Sequence, residues 1–242
     1  MARCYGSKDR EKAKKVAHTS VVVSLVAGIF IGAFGFVFAK NLLLLMGSPS
    51  DVIDLAAAYV RIYFVGMPFN LLYNFGSALL RAGGDTKRPL IYLSIAGVFN
   101  IGANLLFVLG FGMSTDGVAY ATVISQIISS VLVLLTLIRE KNYCHISLKS
   151  LKADRKILWE ITRIGLPAGL QGTLFSLSNV IIQSSINFFG SYVMAGNGAA
   201  SNIEGFIYVC MNAFYHAALS FTSQNMGAKQ YENIRKINKY CL

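Results

Sequence analysis

Residues 16–46 form a long apolar run with the sequence VAHTSVVVSLVAGIFIGAFGFVFAKNLLLLM. A helix needs only ~20 apolar residues to cross a bilayer core ~30 Å thick, and this run exceeds that length. Because no water inside the bilayer can satisfy the backbone, the segment must form a helix that makes its own hydrogen bonds. The sequence therefore predicts an all-α integral membrane protein. Five further runs bring the predicted number of transmembrane helices to six: residues 52–80, 89–113, 118–138, 161–189 and 199–221.

The basic residues alternate along the chain. Of the 22 Lys and Arg residues, all but Lys40 and Arg61 lie in every second gap between the apolar runs, at residues 1–15, 81–88, 139–163 and 222–242. The intervening gaps at residues 47–51, 114–117 and 190–198 contain none. Basic loops stay in the cytoplasm when a membrane protein inserts. The pattern predicts a multi-pass protein of the cell inner (cytoplasmic) membrane, with both termini in the cytoplasm.

Bulk composition excludes several classes of protein. With 55% apolar and 14% charged residues, the chain is too apolar for an ordinary soluble domain. The basic residues behind its net charge of +11 lie in loops that face one side, which favours the anionic leaflet of the lipid bilayer over nucleic acid as a partner. The sequence has no zinc-ligand spacing, catalytic Ser/His/Asp set or phosphate-binding glycine loop. It therefore predicts no enzyme activity, metal or cofactor, and any transport would draw on an ion gradient or on a partner protein.

One segment is long and polar enough to be a linker. Residues 140–160 separate four predicted spans (1–139) from two spans and a basic tail (161–242). Residues 148–161 have the pattern of an amphipathic helix on the membrane surface, with Trp159 at headgroup level. Pro68 and Pro167 lie inside predicted spans, and each is expected to kink its helix.

A short internal repeat brackets the six runs. Residues 5–16 align with residues 226–237 at an offset of 221 (227 − 6). Repeated halves are typical of secondary transporters. The alternative is that two loops of this composition share residues by chance. The identical pairs are Gly6/Gly227, Lys8/Lys229, Glu11/Glu232 and Lys15/Lys236.

Charged groups inside the predicted spans are few. Glu204 is the one acid clearly within a span, and Arg61 is the one deep base. Ionisable groups at membrane depth mark functional sites by default. For Arg61 the alternative is a side chain that extends to the membrane surface or reaches Asp54.

Side-chain amides give a stronger signal, because they repeat at i, i+4 and so share helical faces. One interpretation is a polar, water-accessible cavity that binds cations and amphipathic solutes. The alternative is hydrogen bonding between helices, at ~0.6–2 kcal/mol per bond. The sets are Asn70/Asn74, Asn100/Asn104 and Asn179/Gln183/Asn187.

Several motifs resemble the multidrug and toxic compound extrusion (MATE) family. The loop around Arg81 is the most specific of them, and the likeness runs essentially end to end. The resemblance implies that the six spans correspond to the third to eighth helices of a twelve-helix, two-lobe transporter, so that the chain is a fragment that needs the missing helices. The motifs are GMPF (66–69), LLRAGGDTKRP (79–89), GVAYATVISQ (117–126) and RIGLP (163–167).

The resemblance also implies site residues. The family's amino-terminal-lobe ion site matches Asn100, Asn104, Thr122 and Gln126, with Asn104 in place of an acid. Residues 171–178 contain no acid, which argues against the family branch with a carboxyl-lobe sodium site. For the substrate cavity we expect Asn70, Asn74, Asn179, Gln183 and Glu204.

The implied function is a cation-coupled antiporter, which exchanges Na⁺ or H⁺ for cationic or amphipathic drugs by alternating access. One alternative is a flippase for lipid-linked oligosaccharides, which would need several Arg or Lys residues for a pyrophosphate. Only Arg61 lies deep enough to serve there. The other alternative is an inactive truncated membrane protein.

Overall fold

A computed structural model describes residues 1–45, 53–140, 143–147, 151–188 and 191–241, and these residues form an all-helical structure. The predicted runs coincide with long helices, and short helices flank them at both ends. The helices are α1 (Ala2–Gly6), α2 (Arg10–Leu45), α3 (Ile53–Val65), α4 (Met67–Ala82), α5 (Lys87–Leu105), α6 (Thr115–Arg139), α7 (Arg155–Phe188), α8 (Ser191–Gly227) and α9 (Tyr231–Cys241), with a π-helical turn (Leu106–Gly110) after α5.

The second predicted span is broken at Gly66, and α3 and α4 meet there at 45°. Pro68 lies in the first turn of α4, where its missing N–H removes no helical hydrogen bond. The Gly66 N–H donates to the Tyr63 carbonyl oxygen at 3.0 Å, which closes α3. The bend predicted at Pro68 is therefore confirmed. Pro167, in contrast, lies inside the uninterrupted α7.

Helices α2 to α6 pack as a bundle whose interior combines leucine and valine side chains with small and hydroxyl side chains. Ser24, Ser77 and Ser130 are buried, whereas Val98 is 72% exposed and Leu109 is 77% exposed. Large apolar groups on the outside and small polar groups at helix contacts are the arrangement expected in lipid.

Among the described residues, α2, α5 with its π turn, α6 and the α3–α4 pair are long and apolar enough to span a membrane. Helices α7 and α8 have 34 and 37 residues, which is long enough to cross, but they are more polar. The prediction of six spans therefore remains a prediction.

The four basic segments meet at one end of the molecule, which we call the basic end. The Arg88 guanidinium donates to the Glu140 carboxylate at 2.8 Å, which joins the α4–α5 turn to the end of α6. The Ser147 N–H donates to His18 Nε2 at 3.2 Å, which holds the linker against α2. The Gln224 side-chain amide, near the end of α8, donates to the Ala82 carbonyl oxygen at 2.7 Å.

A buried polar contact lies within the basic end. Tyr5 Oη and Cys144 Sγ are 3.0 Å apart, and Cys144 Sγ donates to the Leu79 carbonyl oxygen at 3.4 Å. Burial raises the pKa of the Cys144 thiol, because the site disfavours the thiolate. Burial and the contact with Cys144 likewise raise the pKa of Tyr5.

The linker differs from its prediction as a surface helix over residues 148–161. Residues 148–150 lie outside the described residues, 151–154 are not helical, and α7 runs without a break from Arg155 into the fifth predicted span. The Asp154 carboxylate accepts the N–H groups of Lys156 and Ile157, at 2.9 and 3.2 Å. These two hydrogen bonds lower the pKa of Asp154 and make it the cap of α7.

Of the two interpretations given for Arg61, pairing with Asp54 is not observed among the described residues. Asp54 accepts a hydrogen bond from Lys40 Nζ at 2.7 Å, so its ion pair is with α2 rather than with Arg61. Arg61 is exposed on α3.

Candidate ion and substrate site

The amide pair on α5 faces α6. Asn104 Nδ2 donates to Asn100 Oδ1 at 3.1 Å, and Asn100 Nδ2 reaches Ser125 Oγ on α6 at 3.5 Å. All three residues are at least partly buried. The structure therefore brings two of the four predicted ion ligands together between α5 and α6, and it adds Ser125, which sequence reasoning missed. The spacing of Ser125 from Thr122, one helical turn, was the signal that could have found it.

The hydroxyl groups of α6 donate their protons to their own helix. Thr122 Oγ1 donates to the Val118 carbonyl oxygen at 2.9 Å, and Ser125 Oγ donates to the Thr122 carbonyl oxygen at 2.7 Å. A hydroxyl has one proton and two lone pairs, so these groups offer neighbours only acceptor sites. The face that α6 presents to α5 is therefore rich in acceptors.

Two predicted ion ligands carry buried oxygens that accept no hydrogen bond within the described residues: Asn104 Oδ1 and Gln126 Oε1. Leaving such an acceptor unsatisfied costs about 1–3 kcal/mol. Gln126 Oε1 lies against Gly66 at the α3–α4 break, so closely that a Cβ at position 66 would overlap it. The glycine thus makes room for a carbonyl oxygen. A cation or a water molecule would satisfy these oxygens.

A third buried acceptor was not predicted. Asp116, in the first turn of α6, has a buried Oδ1 with no hydrogen-bond partner among the described residues. Its position two residues before the apolar run that begins at residue 118 was the sequence signal that could have identified it. The described residues contain no group of three or more His, Cys, Asp or Glu side chains that could hold a metal ion.

The predicted cavity residues lie on three different helices. Asn74 Nδ2 donates to the Asn70 carbonyl oxygen at 2.9 Å and to Asn70 Oδ1 at 3.0 Å, so its donor is used within α4. Gln183 Oε1 accepts from Asn197 Nδ2 at 3.4 Å, which joins α7 to α8. Asn179 and Glu204 are exposed on α7 and α8.

No hydrogen bond between described residues joins the α4 pair to Asn179 or Glu204. A single cavity shared by these residues stays a prediction. The side chain of Asn187 lies outside the described residues.

Comparison with known proteins identifies the family. The MatE family model matches residues 1–106 and 167–242. The probable multidrug resistance protein YoeA of Bacillus subtilis is 31% identical over 245 residues, which cover 98% of this chain and 53% of YoeA. The FAD transporter of Shewanella oneidensis is 24% identical over 240 residues, covering 98% of this chain and 53% of that protein.

The solved structures agree in fold. A MOP superfamily transporter from Pyrococcus furiosus, described as having a binding pocket of reverse polarity, superposes with a TM-score of 0.91 at 27% identity. The match covers 99% of this chain and 54% of that structure. The chain spans about half the length of the curated relatives it matches. Because the family model matches more than half of its residues, the chain belongs to the MatE family of multidrug efflux transporters.

Proposed function

We propose that this chain acts in a cation-coupled antiporter that exports cationic or amphipathic small molecules in exchange for Na⁺ or H⁺. The observation that carries the proposal is the acceptor-rich contact between α5 and α6. Beside it, two buried oxygens accept no hydrogen bond within the described residues: Asn104 Oδ1 on α5, and Gln126 Oε1 on α6, which lies against Gly66 at the α3–α4 break. Neutral oxygens that accept no hydrogen bond can ligate a small cation. When the cation leaves, no charged side chain remains buried at the site.

The orientation of the molecule is part of the proposal. The basic end would face the cytoplasm, since basic segments are retained there and attract the anionic leaflet. Both termini belong to the basic end, through α1 and through the end of α8. Substrate would then enter from the cytoplasm or the inner leaflet and leave on the opposite side by alternating access.

The two ions make different demands on the α5–α6 contact. Asn100, Asn104, Thr122 and Gln126 offer oxygens to Na⁺ but no group that gains or loses a proton near neutral pH. If H⁺ is the coupling ion, its acceptor must be a carboxylate elsewhere in the protein. Rebinding of the ion would favour the state that releases the drug only if the ion binds that state more tightly.

Because the relatives are about twice as long, we propose that further helices complete the transporter. The test therefore uses a chimera in which this chain replaces the matching region of YoeA. The chimera is reconstituted in proteoliposomes loaded with ethidium, and dye movement is followed under a Na⁺ gradient and, separately, a pH gradient. Ion-driven dye movement that stops when the gradient is collapsed supports the proposal.

The variants Asn100→Leu and Asn104→Leu are expected to lower ion-driven transport at least ~10-fold, since each removes a ligand oxygen. Asn212→Leu is the control, because it removes an amide of the same kind whose donor is already used within its own helix, α8, on the Tyr208 carbonyl oxygen at 2.9 Å. Equal losses in all three variants would contradict the role of α5–α6. No dye movement in the chimera, with YoeA active alongside, would favour the inactive protein or the flippase.

A further inference from the structure

The two copies of the sequence repeat fold into the same turn. In the first copy, the N–H groups of Lys8 and Asp9 donate to the carbonyl oxygens of Tyr5 and Cys4, at 3.2 and 3.1 Å. In the second, Lys229 and Gln230 donate to Met226 and Asn225, at 3.3 and 2.9 Å. Every donor and acceptor is related by the offset of 221. Both turns are therefore the same helix-ending Schellman motif.

The turns share an unusual backbone conformation. This motif places one residue in the left-handed region, usually glycine. Here that residue is Lys8 in one copy (φ 56°) and Lys229 in the other (φ 58°), and no other described non-glycine residue has positive φ. A side chain in this conformation costs of order 1–3 kcal/mol and persists where surrounding contacts hold it. The two copies of the repeat are therefore alike in backbone conformation as well as in sequence.

The two turns contact each other in a reciprocal way. A Cβ added at Gly6 would overlap the Gln224 carbonyl oxygen and lie 2.9 Å from the Ala228 nitrogen. A Cβ added at Gly227 would overlap the Arg3 carbonyl oxygen and lie 2.9 Å from its carbon. Because Arg3 and Gln224 are themselves related by the offset of 221, the crossing of α1 and α8 has local two-fold pseudosymmetry. All the opposing atoms belong to backbone and cannot rotate away as a side chain would.

This crossing is the principal attachment of α8 to the first part of the chain. Within the described residues α8 packs chiefly against α1 and α9, and most of its length is exposed. One side-chain hydrogen bond supports the crossing: the Gln224 amide caps the Ala82 carbonyl oxygen at the end of α4, at 2.7 Å. The ring of Tyr5 fills the adjacent space over Gly83.

We propose that the Gly6–Gly227 crossing, with the Gln224–Ala82 hydrogen bond, is a latch that holds the basic ends of the two lobes together. Gly6, Gly227 and Gln224 are then positioning residues for transport. The latch is closed in this structure, and access from the basic side requires α8 to move away from α1. This inference rests on the proposed alternating-access function, because only a cycle with two accessible sides needs the contact to open.

The structure favours a contact that can separate and re-form. Gly6 and Gly227 each face backbone atoms of the opposite helix, and among the described residues a single side-chain hydrogen bond joins α8 to α4. Removing one such bond shifts an equilibrium by about 2- to 10-fold. A shift of that size can be reversed by a ligand with modest preference for one state.

The test measures the distance between the two turns directly. Spin labels are placed on Ser7→Cys and Ala228→Cys, equivalent exposed positions of the two turns, in the full chain in nanodiscs. The exposed Cys210 and the partly exposed Cys241 are replaced by serine, and labelling stoichiometry checks that the buried Cys4 and Cys144 stay unmodified. Double electron–electron resonance, with continuous-wave spectra for the shortest distances, reports the population of each separation.

A predominant short distance is expected in the otherwise unchanged chain. Gly227→Leu should transfer most of the population to longer distances, and Gln224→Met should lower the ratio of short to long by about 2- to 10-fold. Gly205→Leu is the matched control, because a side chain at this α8 position meets open space and should leave the distances unchanged. If Gly227→Leu does not fold, Gln224→Met carries the test, since it adds no clash.

Absence of the short distance, or its persistence in both Gly227→Leu and Gln224→Met, would overturn the latch. Adding ethidium or Na⁺ to the spin-labelled chain with an unaltered latch distinguishes a gate from a contact that is only structural. A gate responds with a change in the two populations, and unchanged populations would overturn the positioning role. The distances are measured without transport, so failure of the proteoliposome assay and failure of the latch are separate results.

Discussion

Gly28→Ala is expected to destabilise the bundle although alanine is the better helix former. Gly28 lies on α2 where it crosses the start of α4. A Cβ at this position would lie 2.5 Å from Pro68 Cα, 3.0 Å from the Pro68 nitrogen and 3.3 Å from the Met67 carbonyl oxygen. These are backbone atoms at the α3–α4 bend, so the two helices themselves would have to move apart.

The size of the effect follows from two opposing terms. Glycine inside a helix costs about 0.5–1 kcal/mol relative to alanine, so the substitution alone would stabilise by that amount. Overpacking a tight contact costs about 1–3 kcal/mol. Because the opposing atoms cannot rotate away, we take the upper half of that range, about 2–3 kcal/mol, and expect a net loss of about 1–2.5 kcal/mol.

Gly102→Ala is the matched control. Gly102 lies inside α5, and nothing lies within 4 Å of the position a Cβ would take. Only the helix-propensity term applies there, so a gain of about 0.5–1 kcal/mol is expected. The two variants should therefore differ by about 2–3 kcal/mol. For a chain of this size that corresponds to roughly 4–12 °C in melting temperature.

The structure supplies its own reporter for the measurement. Cys4 and Cys144 are 5% and 1% exposed, so a thiol-reactive fluorophore labels them only when the bundle opens. The assay is run in detergent with Cys210 and Cys241 replaced by serine. A Gly28→Ala variant that melts at or above the temperature of Gly102→Ala would refute the packing of α2 against the bend.

Three further predictions concern stability in the same detergent; the first uses the thiol-reactive fluorophore, and the two that vary pH are followed by circular dichroism, because thiol labelling itself depends on pH. Lys8→Gly and Lys229→Gly should each raise the free energy of unfolding by up to about 1 kcal/mol, because each relieves the strain of a side chain in the left-handed conformation. The two gains should be equal, and unequal gains would contradict the equivalence of the turns. Asp154→Ala should lower the melting temperature at neutral pH, and because the folded-state pKa of Asp154 is depressed, the difference should vanish as pH falls through that value. Because burial raises the folded-state pKa of Cys144, stability should fall as pH rises above the ordinary thiol pKa of about 8.5, and Cys144→Ala should flatten that slope.

The membrane fold was predictable because it depends on properties that single residues carry. The apolar runs, the charge alternation and the bend at Pro68 each follow from local composition, and the helices and the basic end agree with them. The pairing of Asn100 with Asn104 was likewise fixed by helical geometry. The contact of Asn100 with Ser125 could not be predicted, because it depends on the rotation of α5 relative to α6.

The features that sequence reasoning missed depend either on long-range contacts or on local backbone geometry. Asp54 pairs with Lys40 because the end of α2 lies beside the start of α3, whereas spacing along one helix suggested Arg61. The start of α7 at Arg155 is set by the Asp154 cap, which the amphipathic pattern of the linker concealed. The left-handed backbone conformation of the lysine in each turn could not be predicted, because this position of the motif usually carries glycine.

The α5–α6 contact also limits how pH can act on the proposed ion site. Its amides and hydroxyls do not titrate near neutral pH, and Thr122 already donates its proton to the Val118 carbonyl oxygen. A cation can therefore bind or leave without any change in protonation of these residues, which supports Na⁺ rather than H⁺ as the ion held there. The transport rate of the Asn104→Leu variant is measured against Na⁺ concentration and against pH. If the rate depends on pH and still depends on Na⁺, the coupling step lies outside this contact. Loss of Na⁺ dependence in that variant, with the pH profile unchanged, would place it at Asn104.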